Sequence, residues 1–356
     1  MLVISEQFCL LCTSQAGNSM KAKVISIQDE TPNIKLITLA PLDQLNFPSF
    51  SAGAHVNLTL PSGLVRQYSI CNPVSENTPP ASYRLAVKRE EDSRGGSIEA
   101  HNLVAGSVVD VSHPLNLFPL ADEAEFHIFI AAGIGITPLF AMAAQLRDHH
   151  NFSLLYFSRS RTEAALLEEL EALIPDNLSC FFDDDTPPEL APAITQVLTN
   201  SLGGKDEADQ RRSPSSIHFY VCGPPGFMNA AIEIAQSYLP TSSIHFELFQ
   251  PPQHTPRADA PDSALTVECD GETFSVPATH SIAEVLQDND VPLLTSCEEG
   301  ICGTCIMQVL DGTPDHRDSC LTDEDHSTGL FTPCVSRALS PELTLARRSK
   351  RTRYRP

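Results

Sequence analysis

The chain of 356 residues has no tryptophan and few cations, with 23 Lys and Arg against 45 Asp and Glu. The formal net charge of -22 argues against binding to nucleic acid, because phosphates repel an acidic surface. No apolar run approaches the ~20 residues that cross a bilayer as a helix, so we expect no membrane association. Glu6 interrupts the apolar start and no basic segment precedes it, which argues against a signal peptide.

Cysteine is well represented, with 11 residues. Without a secretion signal, these cysteines favour metal ligation in a reducing compartment over disulfide bonds, and we expect a cytoplasmic protein. Two of them, Cys9 and Cys12, lie in an N-terminal stretch that shows no folded pattern, and we assign them no role.

Three cysteines stand close together near the C-terminus, as Cys297-Glu-Glu-Gly-Ile-Cys302-Gly-Thr-Cys305, and Cys334 follows after 28 further residues. This C-x4-C-x2-C…C spacing is that of the plant-type [2Fe–2S] cluster. The glycines in the loop allow three thiolates and several backbone N–H groups to converge on one small cluster. Buried or disulfide-bonded cysteines have no reason to adopt this spacing. The sequence therefore predicts a protein that transfers single electrons.

The pattern of elements divides the chain into segments. Residues 20–120 contain short strands broken by turn residues, which is typical of an all-β barrel or sandwich. In residues 121–250, apolar strands alternate with helical stretches, which predicts βαβ units on a parallel sheet. Residues 251–263 are polar and proline-rich, as in a linker, and residues 264–356 hold the cysteine loop. We expect residues 1–19 to be a disordered extension.

Two motifs in the first segment could bind a phosphorylated ring system. Arg66-Gln-Tyr68-Ser69 offers a cation, an aromatic ring and a hydroxyl, although such a run on a barrel edge is often ordinary surface. Further on, Gly95-Gly96-Ser97 precedes an expected helix start, where backbone N–H groups can cradle a phosphate.

Two glycine turns follow strands of the second segment. The first is Gly133-Ile-Gly135-Ile-Thr137-Pro138, and the second is Cys222-Gly223-Pro224. Either turn alone is compatible with a generic connection between a strand and a helix. As a pair at the carboxyl ends of parallel strands, they indicate a nucleotide crevice.

Taken in order, these motifs resemble the phthalate dioxygenase reductase family, which includes the reductase subunits of vanillate O-demethylases. The resemblance extends from about residue 20 to about residue 345 and includes Asp315-His-Arg-Asp318 between cluster ligands. It implies a multidomain fold: an antiparallel β-barrel flavin domain of the ferredoxin-reductase type, an α/β NAD domain with a parallel sheet, and an α+β β-grasp ferredoxin domain of plant type.

The resemblance also implies roles in flavin binding. Arg66, Tyr68 and Ser69 would bind the flavin, with Arg66 near its phosphate and Tyr68 against the ring, while Gly96 and Ser97 would contact the same phosphate. The family favours FMN, and we see no adenine-binding feature in the first segment, although FAD stays possible.

By the same resemblance, the pyridine-nucleotide site would contain Gly133, Gly135, Thr137, Cys222, Gly223 and Pro224. Thr137 and Cys222 would lie near the nicotinamide. Phe249 matches an aromatic residue that covers the flavin face, but an aromatic residue packed in a domain interface fits its position equally well. Arg159 and Arg161 could hold the 2′-phosphate of NADPH. Related NADH-using reductases look similarly basic there, so we expect NADH.

The family implies that electrons pass from NADH through the flavin and the cluster to a separate Rieske-type oxygenase, with the reductase acting as a monomer. Between residues 265 and 339 there are 14 Asp or Glu and 2 Arg. This acidic surface either steers docking to a basic partner or is only a solvated face.

Three other functions are weighed against this one. The chain could be an electron carrier or binding module with a degenerate flavin site, but the paired glycine turns argue against it. It could be an FAD reductase that uses NADPH and serves another acceptor. A complete oxygenase is disfavoured, because we identify neither a 2-His-1-carboxylate motif nor a Rieske spacing.

Overall fold

A computed structural model of the protein describes residues 19–73, 78–91, 95–149, 151–184, 190–203, 212–249, 264–293, 295, 297–301, 303–321 and 323–347. The chain forms two compact units, one ending at Glu247 and one beginning at Leu248. The first unit contains both the barrel and the parallel sheet that the sequence predicts. Within the described ranges, no helix is long and apolar enough to cross a membrane.

The first sheet is an antiparallel barrel of six strands, in the order β4-β3-β6-β1-β2-β5. Its strands β1 to β6 are Met20–Thr31, Ile34–Pro41, His55–Thr59, Val65–Ser69, Tyr83–Lys88 and Val108–Val111, and helix α1, Gly96–His101, lies between the last two. A bridge between Ile70 and Leu85 joins the two end strands and closes the barrel. Its core includes Phe47 stacked on Tyr83 with ring centroids 4.0 Å apart.

The second sheet has five parallel strands in the order β11-β10-β7-β8-β9. Strands β7 to β11 are Phe126–Ala132, Phe152–Ser158, Leu178–Phe182, Ile217–Cys222 and Ile244–Glu247. Helices α2 to α5 are Ile136–Leu146, Leu167–Leu173, Leu190–Gly203 and Pro225–Gln236. The strand order reverses between β7 and β10, so a crevice for a ligand is expected outside their carboxyl ends.

Polar contacts fasten helix α3 to the barrel. Arg84 of β5 makes two hydrogen bonds to Glu169, at 2.7 and 2.9 Å, and its guanidinium lies 5.3 Å from the Phe140 ring centroid. On the same side, the Glu30 carboxylate accepts a 2.7 Å hydrogen bond from the Leu166 backbone N–H. These contacts fix the parallel sheet against the barrel, and thereby position the residues where the two meet.

The second unit has the α+β architecture expected for a ferredoxin domain. Its main sheet has the order β13-β12-β18-β14-β16, and β15 pairs with β17 separately. Strands β12 to β18 are Leu265–Cys269, Glu272–Val276, Met307–Asp311, Pro314–Asp315, Leu330–Phe331, Arg337–Ala338 and Glu342–Arg347, with helices α6, Ile282–Asp288, and α7, Asp323–Ser327. A capping box of Ser281 and Glu284 begins α6.

Candidate functional site

The two predicted glycine turns meet at the switch point of the parallel sheet. A Cβ atom on Gly135 would lie 2.2 Å from the Cys222 carbonyl oxygen, and one on Gly223 would lie 2.7 Å from the Ala132 Cβ. Any side chain at either position would force the turns apart. The sequence therefore identified two segments that the fold packs together into the wall of one crevice.

The first turn leaves its backbone accessible and leads into helix α2. Gly133 has a φ of 53°, and no described atom lies within 4 Å of a Cβ built on it. The N–H groups at the start of α2 can receive a pyrophosphate there. Thr137 is buried, and its hydroxyl donates a 3.1 Å hydrogen bond to the Ile134 carbonyl. Thr137 thus shapes the turn, and its proximity to the nicotinamide stays a prediction. Pro224 is exposed at the start of α5.

A cluster of aromatic rings lies at the carboxyl ends of β8 and β9. Phe157 stacks on Phe181 with centroids 4.6 Å apart, and Phe227, near the start of α5, lies 5.2 Å from Phe157. This group of three rings, the aromatic shelf, is not evident from the sequence, because its members come from three separate elements. Phe157 is buried, whereas Phe181 and Phe227 are partly exposed, so their rings offer an apolar contact for a nucleotide base near the first glycine turn.

A second missed feature lies where the barrel meets the parallel sheet. Glu247, the last residue of β11, is the register partner of Cys222 at the end of β10. The Ser69 hydroxyl, from the barrel, donates a 3.4 Å hydrogen bond to the Glu247 carboxyl group. His55 Nδ1 lies 3.8 Å from the other carboxyl oxygen of Glu247. A carboxylate at the end of the short strand Ile244–Glu247 was the signal that could have identified Glu247.

Burial keeps this group of residues neutral near pH 7. Burial raises the pKa of Glu247 to about 8, although the hydrogen bond from Ser69 opposes the shift. The pKa of the Cys222 thiol is raised, first by burial and then by the Glu247 charge. Burial lowers the pKa of His55 to about 4, so its contact with Glu247 joins neutral groups and is not an ion pair. The carboxyl group of Glu247 is therefore mostly protonated and uncharged near pH 7.

The predicted phosphate-binding residues of the barrel also come together. A Cβ atom on Gly96 would lie 2.4 Å from Arg66 Nε, so the guanidinium stem rests directly on the glycine. Tyr68 is partly buried and packs against the barrel core, and burial raises its pKa to about 12. The Ser97 hydroxyl accepts a hydrogen bond from the Glu90 N–H at 3.1 Å. Contact of Ser97 with a phosphate stays a prediction.

The cysteine loop brings the predicted cluster ligands together, except that Cys302 lies outside the described residues. The Sγ atoms of Cys305 and Cys334 are 3.3 Å apart, and both residues are buried. The Cys297 sulfur accepts a hydrogen bond from the Glu299 N–H at 3.4 Å, and the Gly300 N–H hydrogen-bonds to Cys334. The hydrogen bond with Cys305 and burial raise the pKa of Cys334. Two buried thiols in contact, with backbone N–H groups aimed at the sulfur atoms, fit an iron–sulfur cluster, whose irons would bind them as thiolates.

Two glycines give the loop its conformation. Gly300 and Gly303 have φ values of 69° and 65°, a region that disfavours other residues. A Cβ on Gly300 would also lie 2.5 Å from the Val335 side chain. The fifth thiol, Cys320, hydrogen-bonds to the Gly303 N–H, and burial raises its pKa to about 12. Cys320 therefore borders the cysteine loop.

The Asp315–Leu321 loop is held by a buried carboxylate. Asp318 accepts hydrogen bonds from the Leu321 N–H at 3.0 Å and from His326 Nε2 at 3.2 Å. His316 stacks on His326, with centroids 3.8 Å apart and planes inclined by 21°. Stacked imidazoles direct their in-plane lone pairs side by side and not toward a common point. This arrangement is therefore a hydrogen-bonded support for the loop and not a metal site.

Phe249 lies in the second unit and is partly buried, and its role at a flavin stays a prediction.

The elements described above together define a class of protein. A barrel abuts a parallel sheet whose switch point is lined by two glycine turns, and a cysteine loop that fits an iron–sulfur cluster follows in the same chain. This combination is that of a pyridine-nucleotide-dependent reductase with its own ferredoxin domain.

Comparisons with known proteins agree. The 2Fe-2S iron–sulfur cluster binding domain family matches residues 265–339, and the N-terminal domain of the dimethylamine monooxygenase subunit DmmA-like family matches residues 114–243. Vanillate O-demethylase oxidoreductase of Pseudomonas putida is 39% identical over 329 residues, which cover 91% of this chain and 98% of that protein.

Two solved structures share the architecture. That of phthalate dioxygenase reductase is 32% identical with a TM-score of 0.66, covering 92% of this chain and 98% of its own. An intact type IV self-sufficient cytochrome P450 monooxygenase is 30% identical with a TM-score of 0.75, covering 92% of this chain but 41% of that longer chain. The chain belongs to the phthalate dioxygenase reductase and vanillate O-demethylase oxidoreductase family, and it is an oxidoreductase with a [2Fe–2S] ferredoxin domain.

Proposed function

We propose that this protein takes hydride from NADH, passes the electrons through FMN to its [2Fe–2S] cluster, and delivers them singly to a separate Rieske-type oxygenase. The observation that carries the proposal is the junction of Ser69 with Glu247 and Cys222. There Ser69, which we assign to the flavin, contacts Glu247, and Glu247 is the register partner of Cys222, which we assign to the nicotinamide.

The chain's own residues bind and orient the two reactants. The Gly133–Gly135 turn and the start of α2 hold the pyrophosphate, while Arg66 on Gly96 holds the flavin phosphate. A bound flavin supplies the conversion between two-electron and one-electron transfer. Ser69 and Glu247 hold a proton at the junction, because Glu247 stays protonated up to a pH of about 8. Buried Cys222 closes the junction to water without adding charge.

The choice of flavin and the choice of acceptor follow from the residues of the barrel and the charge of the ferredoxin unit. FMN is favoured over FAD because the family resemblance implies it and the first segment shows no adenine-binding feature, while Arg66 on Gly96 supplies the cation for its phosphate. The ferredoxin unit exposes many carboxylates, which suits transient docking on a basic surface of a partner. We place the protein, as a monomer, in the cytoplasm with that partner. A haem-containing oxygenase is the second candidate acceptor, because the chain aligns with part of a P450 monooxygenase.

The test uses the FMN-loaded protein and cysteine variants. Cys334→Ser should remove the iron and abolish cytochrome c reduction, while NADH-dependent ferricyanide reduction largely survives because hydride transfer precedes the cluster. Cys320→Ser is the matched control and should keep its iron. Loss of iron in Cys320→Ser alone would overturn the ligand assignment. Absence of NADH–ferricyanide activity in the wild type would overturn the proposed function itself.

Acceptor identity needs a separate comparison. We expect the reduced protein to reduce a Rieske oxygenase in single turnover faster than it reduces a haem oxygenase under matched conditions. The opposite order would replace the Rieske acceptor by the second candidate.

A further inference from the structure

The carboxyl edge beside the pyrophosphate turn is the place where a bound dinucleotide presents its adenosine ribose. Strands β8 and β9 both end there, and their following segments are joined by backbone hydrogen bonds. The Asp183 N–H donates to the Ser158 carbonyl at 3.1 Å, and the Asp184 N–H donates to the Arg159 carbonyl at 3.2 Å. The aromatic shelf defined above lies at the same strand ends. Residues 159–163 follow Ser158, the last residue of β8, and therefore lie at the edge where the ribose is expected.

The arginine best placed for a 2′-phosphate already has a partner. Arg161 Nη2 makes hydrogen bonds to both carboxylate oxygens of Glu171, at 2.5 and 2.6 Å. This hydrogen bond is the main cause of the raised pKa of Arg161, and the Glu171 charge adds to it. Both residues lie close enough to Cys180 of β9 for their charges to act on the pKa of that thiol. Glu171 of helix α3 therefore holds the guanidinium on the flank of the sheet.

The other charged residues at this edge also disfavour the binding of a 2′-phosphate. Asp183 and Asp184 are exposed next to Arg159, and the Glu168 charge also acts on Arg161. Among the described residues here there are two cations, Arg159 and Arg161, and five carboxylates, Glu163, Glu168, Glu171, Asp183 and Asp184. A 2′-phosphate would bring further negative charge into this field and would have to displace Glu171. A ribose 2′-hydroxyl can instead donate a hydrogen bond to a carboxylate.

We propose that Glu171 is a specificity-determining residue, which withholds Arg161 from the 2′-phosphate and thereby selects NADH over NADPH. The inference rests on the proposed function, since it concerns the nucleotide that the crevice binds. Glu171 acts through Arg161, so its effect depends on that arginine being present.

The experiment measures kcat/KM with ferricyanide for both nucleotides in the FMN-loaded full chain. Glu171→Gln should raise the NADPH-to-NADH ratio about tenfold, because it frees the guanidinium of Arg161 for the phosphate. Asp176→Asn is the matched control. It makes the same change in charge, but Asp176 is exposed and precedes β9 at the opposite edge of the sheet. Its ratio should equal that of the wild type.

A double variant and a binding assay complete the test. Glu171→Gln combined with Arg161→Ala should return the ratio toward the wild-type value. By calorimetry, 2′,5′-ADP should gain affinity in Glu171→Gln about as much as the ratio rises, while 5′-ADP should not.

An unchanged ratio in Glu171→Gln, or a gain that survives Arg161→Ala, would overturn the inference. So would a wild type that prefers NADPH. Failure of the proposed function is distinguishable from all of these, because then neither nucleotide reduces the flavin while the calorimetric comparison can still be made.

Discussion

At the scale of single residues, the contact between Gly96 and Arg66 offers a direct test of flavin binding. Gly96→Ala would place a methyl group 2.4 Å from Arg66 Nε, and the arginine must move away from its present position. We expect the Kd for FMN to rise about tenfold, which corresponds to about 1.4 kcal/mol. Quenching of flavin fluorescence on binding measures the change.

Gly203→Ala is the control for this substitution, since no described atom lies within 4 Å of a Cβ at that position. It should leave FMN affinity unchanged. If Gly96→Ala binds FMN as tightly as the wild type does, Arg66 does not hold the phosphate from this position. A similar Tm for both variants would show that the fold is intact.

At the scale of elements, three strands of the parallel sheet carry buried or partly buried histidines that stay neutral. His127 of β7 and His218 of β10 are register partners, and His245 of β11 lies 2.8 Å from His218 through their ring nitrogens. Burial lowers the pKa of His127 to about 4, and the His218 charge adds to the shift. Burial also lowers the pKa of His245 to about 4, and the charge of His218 makes a smaller contribution in the same direction.

These shifts predict a loss of stability in acid. The unfolded chain takes up protons on histidine below a pH of about 6.5, whereas the folded sheet resists protonation down to about 4. Stability is therefore full above 6.5 and falls between 6.5 and 4, by on the order of 3 kcal/mol for His127. His127→Gln should lose less Tm between pH 7.5 and pH 5 than the wild type. Exposed His149→Gln should lose as much as the wild type, and equal losses in all three proteins would contradict the prediction.

At the scale of the whole molecule, the acidic ferredoxin unit should govern the encounter with the oxygenase. Its exposed carboxylates include Glu268, Asp270, Glu272, Glu284, Asp288, Asp290, Glu298 and Asp311. Near 1 M salt the Debye length falls to about 3 Å, and electrostatic steering is largely lost. Stopped-flow traces should then show slower electron transfer to the oxygenase, while flavin reduction by NADH changes little.

A charge variant separates steering from other effects of salt. Glu298→Gln with Glu299→Gln, within the cysteine loop, should slow the intermolecular step at low salt. Asp43→Asn with Asp176→Asn makes the same change in charge on the first unit and should not. Equal behaviour of the two double variants would mean that the carboxylates near the cluster are only a solvated face.

The sequence by itself determined the chemistry of the cluster and the order of the domains. The spacing of Cys297, Cys302 and Cys305 reflects the geometry of a small cluster held by one loop, so the ligands lie close together along the chain. Strand and helix periodicities are also local, which is why the barrel, the parallel sheet and the glycine turns could be predicted. The family resemblance supplied the expected roles of Arg66 and Cys222.

Only the tertiary structure decided which distant residues meet. Ser69 and Glu247 are 178 positions apart, and their contact exists because the barrel packs against the end of β11. Arg161 was a candidate for holding a 2′-phosphate, but it is held by Glu171 ten positions later, in helix α3, whose orientation the sequence pattern did not fix. Such contacts and the pKa shifts that follow from burial depend on packing between elements, and a local pattern of residues does not specify that packing.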